Sequence, residues 1–199
     1  MRSPARLLRR PVLARPAAGC TDLPESVAPP ARHNRRAGIG LSRDIAMNPD
    51  RYLDDLAVGD HWDGHPIPIE QDAAIAFARQ YDPQPMHIDP VAAAQGRFGG
   101  LIATGWYVAA LVMRDYIETN PWGGTPALGI GVDELRWLHP VRLGDVLRAR
   151  REIVELTRSR SKPDRGTVRV RTSVSNQDGR EVMTFSTLIQ LPARQSQNR

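Results

Sequence analysis

Cysteine is nearly absent. Cys20 is the single one in 199 residues, which excludes an intramolecular disulfide and any multi-cysteine zinc or iron–sulfur site. A reducing, cytoplasmic setting is the expectation. Long apolar runs are missing too: the longest nearly uncharged one, Gly99 to Met113, falls short of the roughly 20 residues that cross a bilayer as a helix. No membrane partner is expected, and the run reads instead as a buried helix. Residues 1–46 contain none of the chain's 11 aromatic side chains but six of its 17 prolines. Such a segment buries too little apolar surface to offset the entropy of ordering it. A disordered leader is predicted there. Its prolines break the amphipathic helix of an organellar transit peptide, and Arg9, Arg10 and Arg15 interrupt any secretory apolar region. The composition changes at Met47, which reads as the translation start, with a regulatory or targeting arm as the alternative.

The net charge of +5 invites a nucleic-acid reading that its distribution removes. Residues 1–46 hold nine Arg against three acids, and residues 47–199 carry 18 basic and 19 acidic side chains. The folded part therefore has no excess of positive charge with which to hold phosphates. His33, His61, His65 and His139 lack metal-ligand spacing, so no metal site is expected.

Residues 47–199 show neither a repeat nor a linker and read as one domain. An extended stretch over 62–69, with Pro66 and Pro68, suits a sheet edge. Ala74, Phe77, Ala78 and Tyr81 recur at helical spacing and predict a helix over 70–80 with Glu70 and Asp72 in its first turn. In Asp82-Pro83-Gln84-Pro85-Met86-His87-Ile88-Asp89-Pro90 the alternate prolines predict a rigid, non-helical strap. Asp89-Pro90 reads as an N-cap and first helical residue. The apolar helix that follows must be surrounded by protein. Four strand-like stretches downstream, at 126–138, 145–157, 166–175 and 181–191, supply that surround. Val168, Val170, Thr172 and Val174 form one face of the third, and Met183, Phe185, Thr187, Ile189 and Leu191 the inner row of the fourth, with Asp178-Gly179 as the hairpin turn. Helices followed by antiparallel strands make an α+β pattern in which a curved sheet wraps one long buried helix, the hotdog arrangement.

The paired motif Tyr81-Asp82-Pro83-Gln84-Pro85-Met86-His87-Ile88-Asp89 and Phe98-Gly99-Gly100-Leu101-Ile102-Ala103-Thr104-Gly105 resembles the signature of MaoC-like dehydratases, which include (R)-specific enoyl-CoA hydratases. The resemblance extends over residues 47–192. It implies a dimerising hotdog domain, a coenzyme A thioester as substrate, no separate cofactor, and reversible addition of water across a trans-2-enoyl double bond. Asp82 and His87 correspond to the family's dyad, and Gly105 to the glycine whose N–H points at the thioester carbonyl. This chemistry needs a proton acceptor for water, a proton donor for Cα, and donors for the enolate oxygen. His87 is assigned to activating the water and Asp82 to the proton exchanged at Cα, with the acid and base roles left open. Gln84, Gly100, Thr104 and Trp106 flank the expected pocket and are assigned to substrate binding.

Structural readings stand beside these. Alone, Asp82 would be a helix C-terminal turn residue and His87 a satisfied loop histidine. Asp89 is assigned to capping, Gly99-Gly100 to phosphate binding or to tight packing, Trp106 and Tyr107 to core or pocket wall, and Arg136 and Arg142 to solvated sheet edges rather than phosphate contacts. Several positions depart from the family pattern: Gln84 for Asn, Gln80-Tyr81 for a small residue and glycine, Thr104 for His, and Met113 where some members carry a serine. A non-catalytic acyl-thioester-binding subunit is the second reading, and a thioesterase a weaker third.

Overall fold

The computed structural model describes residues 48–194; the expected leader over residues 1–46 lies outside them. After a 3-10 turn at Leu53–Asp55 come β1 (His61–Asp63), β2 (Ile67–Pro68), α1 (Gln71–Tyr81), α2 (Pro85–Ile88), α3 (Pro90–Gln95) and α4 (Gly105–Thr119). The sheet strands β3 (Leu128–Trp137), β4 (Val146–Arg158), β5 (Arg165–Ser175) and β6 (Glu181–Pro192) complete the chain. The main sheet runs β1-β4-β5-β6-β3, every pair antiparallel, with β2 also paired to β4.

Period-2 alternation sets the inner face. Val168, Val170, Thr172 and Val174 of β5 are buried, as are Met183, Ile189 and Leu191 of β6, while Phe185 packs on the core from a partly exposed position. The β5–β6 hairpin closes through Asn176, whose Oδ1 accepts the N–H groups of Asp178 and Arg180 at 3.1 and 3.0 Å, and Gly179 takes the positive φ of 75°. Extra residues in β3, β4 and β6, the last being Val182, break the ladder and bend the sheet. Its concave side receives α4, whose Tyr107, Val108 and Val112 pack among Leu147, Ala149, Val174, Val182 and Met183. Each such side chain, fully buried, contributes about 1.5–3 kcal/mol. The arrangement is that of a hotdog domain.

Three local expectations change. The strap after α1 contains one helical turn, Pro85–Ile88, because Pro85 sits at its first position, where no amide hydrogen is needed and φ is already helical. Tyr81 is exposed rather than on the buried stripe, since α1 ends there and its ring rests on Phe77 at the surface, centroids 4.8 Å apart. The helix α4 is covered on one side only: Trp106, Met113 and Ile117 remain exposed on the single chain.

One buried feature has no counterpart in the sequence reading. Arg151 of β4 is 1% exposed and meets the buried Asp115 of α4 at 2.9 Å, while its Nη2 donates to Val112 O at 3.0 Å. The backbone N–H of His65 also donates to Asp115, at 2.8 Å. Burial pulls the Arg151 guanidinium below the usual arginine value, and the Asp115 carboxylate opposes that shift.

Candidate active site

The dyad stands where α1 gives way to α2. Asp82 is the C-cap of α1, its N–H donating to Ala78 O at 2.8 Å, so the capping role expected of an isolated aspartate is real. Its side chain does more. Gln84 Nε2 donates to Asp82 Oδ1 at 2.7 Å, and Asp82 Oδ2 lies 3.5 Å from His87 Nε2. His87 is 5% exposed and Asp82 25%, so the pair has one dry side and one open side.

The orientation of His87 follows from its other nitrogen. Nδ1 lies 2.9 Å from the carbonyl oxygen of Ile102. A carbonyl only accepts, so Nδ1 carries a proton and Nε2 is the nitrogen turned to Asp82. The 3.5 Å separation exceeds an ordinary direct hydrogen bond.

The segment from Ile102 to Gly105 links this pair to the start of α4. Ile102 N–H donates to Met86 O at 3.2 Å on the α2 side, and Ala103 N–H donates to Val141 O at 2.9 Å on the other. Thr104, fully buried, is the N-cap of α4, its hydroxyl accepting Trp106 N–H at 3.2 Å. Gly105 is the first residue of the helix, where the amide N–H has no intrahelical acceptor and the dipole favours negative charge. A side chain at this position would collide with Trp137: a Cβ would lie 2.5 Å from its indole nitrogen. The missing side chain of Gly105 is what lets the indole approach this closely, whatever binds there.

The remaining expected residues fall in distinct places. Trp106 is 60% exposed beside Trp137, ring centroids 5.2 Å apart at 76°. Gly100, with φ of 150°, donates its N–H to Ala93 O at 2.9 Å, and Arg142 binds the carbonyls of Phe98 and Gly100. Arg142 thus fastens the Gly-Gly turn. Asp89 caps α3 through Val91 N–H and Ala92 N–H at 2.9 and 3.1 Å. Trp137, at the end of β3, was not among the expected site residues, and nothing in its local sequence marks it; only the fold places it against Gly105.

A concavity of about 870 Å³ on the sheet contains none of these residues. Its Arg169 is paired with Asp133 at 2.8 Å and with Glu155 at 3.3 Å. No group of three or more His, Cys, Asp or Glu suited to a metal occurs among the described residues, and no helix there is long and apolar enough to cross a membrane.

A hotdog domain with an Asp–His pair beside a helix N-terminus defines a class, and comparison with known proteins assigns it. The chain belongs to the MaoC-like domain family, which matches residues 55–176. It is similar to the crystal structure of a MaoC-like dehydratase from Rhodospirillum rubrum, with 37% identity, 73% of this chain and 99% of that one covered, and a TM-score of 0.66. The unliganded (R)-hydratase PhaJ1 of Pseudomonas aeruginosa is 30% identical over 72% of this chain and 86% of its own, TM-score 0.59. The (R)-hydratase of A. caviae involved in PHA biosynthesis is 27% identical over 69% of this chain and 98% of its own, TM-score 0.57.

Proposed function

We propose that the protein is a hydro-lyase that adds water to, or removes it from, the 2,3 double bond of an enoyl-CoA thioester, giving or consuming the (R)-3-hydroxyacyl form. Family membership and the two (R)-hydratase neighbours support hydratase or dehydratase chemistry. The observation that carries the specific reading is the Asp82–His87 geometry, with Nε2 facing a carboxylate oxygen 3.5 Å away and Nδ1 held by the Ile102 carbonyl. A water held there donates one hydrogen to each.

In the hydration direction the water oxygen bonds to C3 as His87 Nε2 takes its proton. The π electrons move onto the thioester oxygen, which the Gly105 N–H stabilises with help from the α4 dipole. His87 Nε2 passes that proton to Asp82 Oδ2, and Asp82 delivers it to C2 as the enolate collapses, which leaves both groups as they began. Gln84 occupies Oδ1, so the mobile proton of Asp82 belongs on Oδ2, the oxygen toward His87. The reverse sequence eliminates water. Coenzyme A enters as part of the substrate.

The active form is a homodimer in this reading. Strand β3 ends the sheet order, and Leu128, Ile130 and Val132 on it are exposed together with Met113 and Ile117 of α4. An uncovered edge with apolar side chains is what a second copy would bury.

The deciding experiment follows the loss of enoyl-thioester absorbance with crotonyl-CoA and octenoyl-CoA. Turnover by the native chain is expected, falling at least about a hundredfold in Asp82→Asn and in His87→Ala. Binding of both thioesters without turnover by any form would instead establish an acyl-thioester-binding subunit.

A further inference from the structure

We propose that Trp137 is the wall against which the pantetheine arm of the thioester lies, so that this residue sets affinity for the acyl carrier rather than the acyl length accepted. The inference rests on the hydratase reading above and adds a residue to it. The segment 102–105 divides the site: it holds His87 through Ile102 O on one flank, while Ala103 N–H bonds Val141 O on the other. The two groups belong to a single trans peptide unit, whose C=O and N–H point in opposite directions, which accounts for the division. Trp137, four residues before Val141 in the chain, lies against Gly105.

A thioester carbonyl has two substituents. When its oxygen sits on the Gly105 N–H and its Cα turns to the dyad, its sulfur and the arm beyond must leave toward the other flank. There they meet the indole of Trp137, which is 46% exposed and braced edge-to-face by Trp106. One face of the indole lies against the backbone of Gly105, which brings the ring as close to the thioester position as a missing side chain allows. A flat apolar face suits the methylenes next to sulfur, and that arm is common to coenzyme A and carrier-protein thioesters.

The test measures KM and kcat of Trp137→Ala and Trp137→Phe, each checked by thermal unfolding, on crotonyl-CoA, octenoyl-CoA and crotonyl-acyl-carrier protein. Trp137→Leu replaces the alanine variant if that one fails to fold. The small or aliphatic side chain is expected to raise KM about tenfold or more. The factor should be the same for all three thioesters, with kcat held within about threefold and Trp137→Phe recovering most of the loss. Unchanged KM, a changed preference between crotonyl and octenoyl chains, or a rise confined to the two coenzyme A thioesters overturns it; the last would move the contact to the nucleotide end. Native protein that turns over none of the three defeats the hydratase reading itself, an outcome distinct from active native protein with an unaffected variant.

Discussion

Asp82 has two carboxylate oxygens and two different neighbours, and the difference assigns each a task. Gln84 holds Oδ1 at 2.7 Å, leaving Oδ2 to face His87. The sequence reading assigns Gln84 to substrate binding because it flanks the expected pocket; in the structure its amide donates to the aspartate. Replacing Gln84 by Leu removes that donor and frees the carboxylate to rotate. The expected result is a fall in kcat of about tenfold, the scale of one lost hydrogen bond to a charged group, with KM for crotonyl-CoA nearly unchanged. Steady-state kinetics decide it, and a rise in KM alone would return Gln84 to the substrate. Asp82 and His87 were legible at this scale because they sit in a dense motif. Trp137 was not, since its relation to Gly105 exists only when β3 is folded beside the start of α4.

At the scale of elements, α4 and the sheet are joined by apolar packing and by one buried charge pair. Arg151 occupies the inner row of β4, in sequence with Leu147, Ala149 and Ile153, all buried. Its alternation is plain in the sequence, and a charge on an inner row demands a partner; the partner, Asp115, is far along the chain and so could not be read locally. Removing one member leaves the other charged and unpaired in the core. Asp115→Leu or Arg151→Leu alone should therefore destabilise by about 3–5 kcal/mol, whereas the double replacement should recover a substantial part of that loss. Chemical denaturation of the four proteins closes the cycle, and simple additivity would show that the pair is not coupled. Strand β5 was legible from its alternation and the turn that follows it; β6 was legible as a strand, but its inner row is interrupted, with Phe185 and Thr187 only partly buried and Val182 and Ser186 of the other parity in the core. The turn at Pro85–Ile88 was not, because proline signals both the end of one helix and the start of another.

On the whole molecule, what the sequence presented as a fully enclosed helix is enclosed on one side. The apolar residues left over, Met113 and Ile117 on α4 and Leu128, Ile130 and Val132 on β3, answer the expectation that α4 must be surrounded by protein only if a second copy supplies the rest. A homodimer in sedimentation experiments is the expected state, and Ile130→Lys combined with Ile117→Lys should shift it toward monomer, since two buried lysines per subunit would be left unpaired. A native chain that sediments as a monomer with full turnover would show the exposed face to be tolerated as it is.

The carbonyl of Ile102 has a wider consequence. It fixes the proton on His87, and it lies on the same short stretch of backbone whose last residue, Gly105, offers its amide to the substrate. In the proposed reaction the carbonyl that orients His87 and the amide that receives the thioester oxygen are thus two marks on one ruler made of peptide bonds. Only two residues separate them, so thermal drift of the segment carries both marks together. Side chains along this stretch can be exchanged with the spacing kept, but a residue inserted or deleted between Ile102 and Gly105 alters the ruler itself.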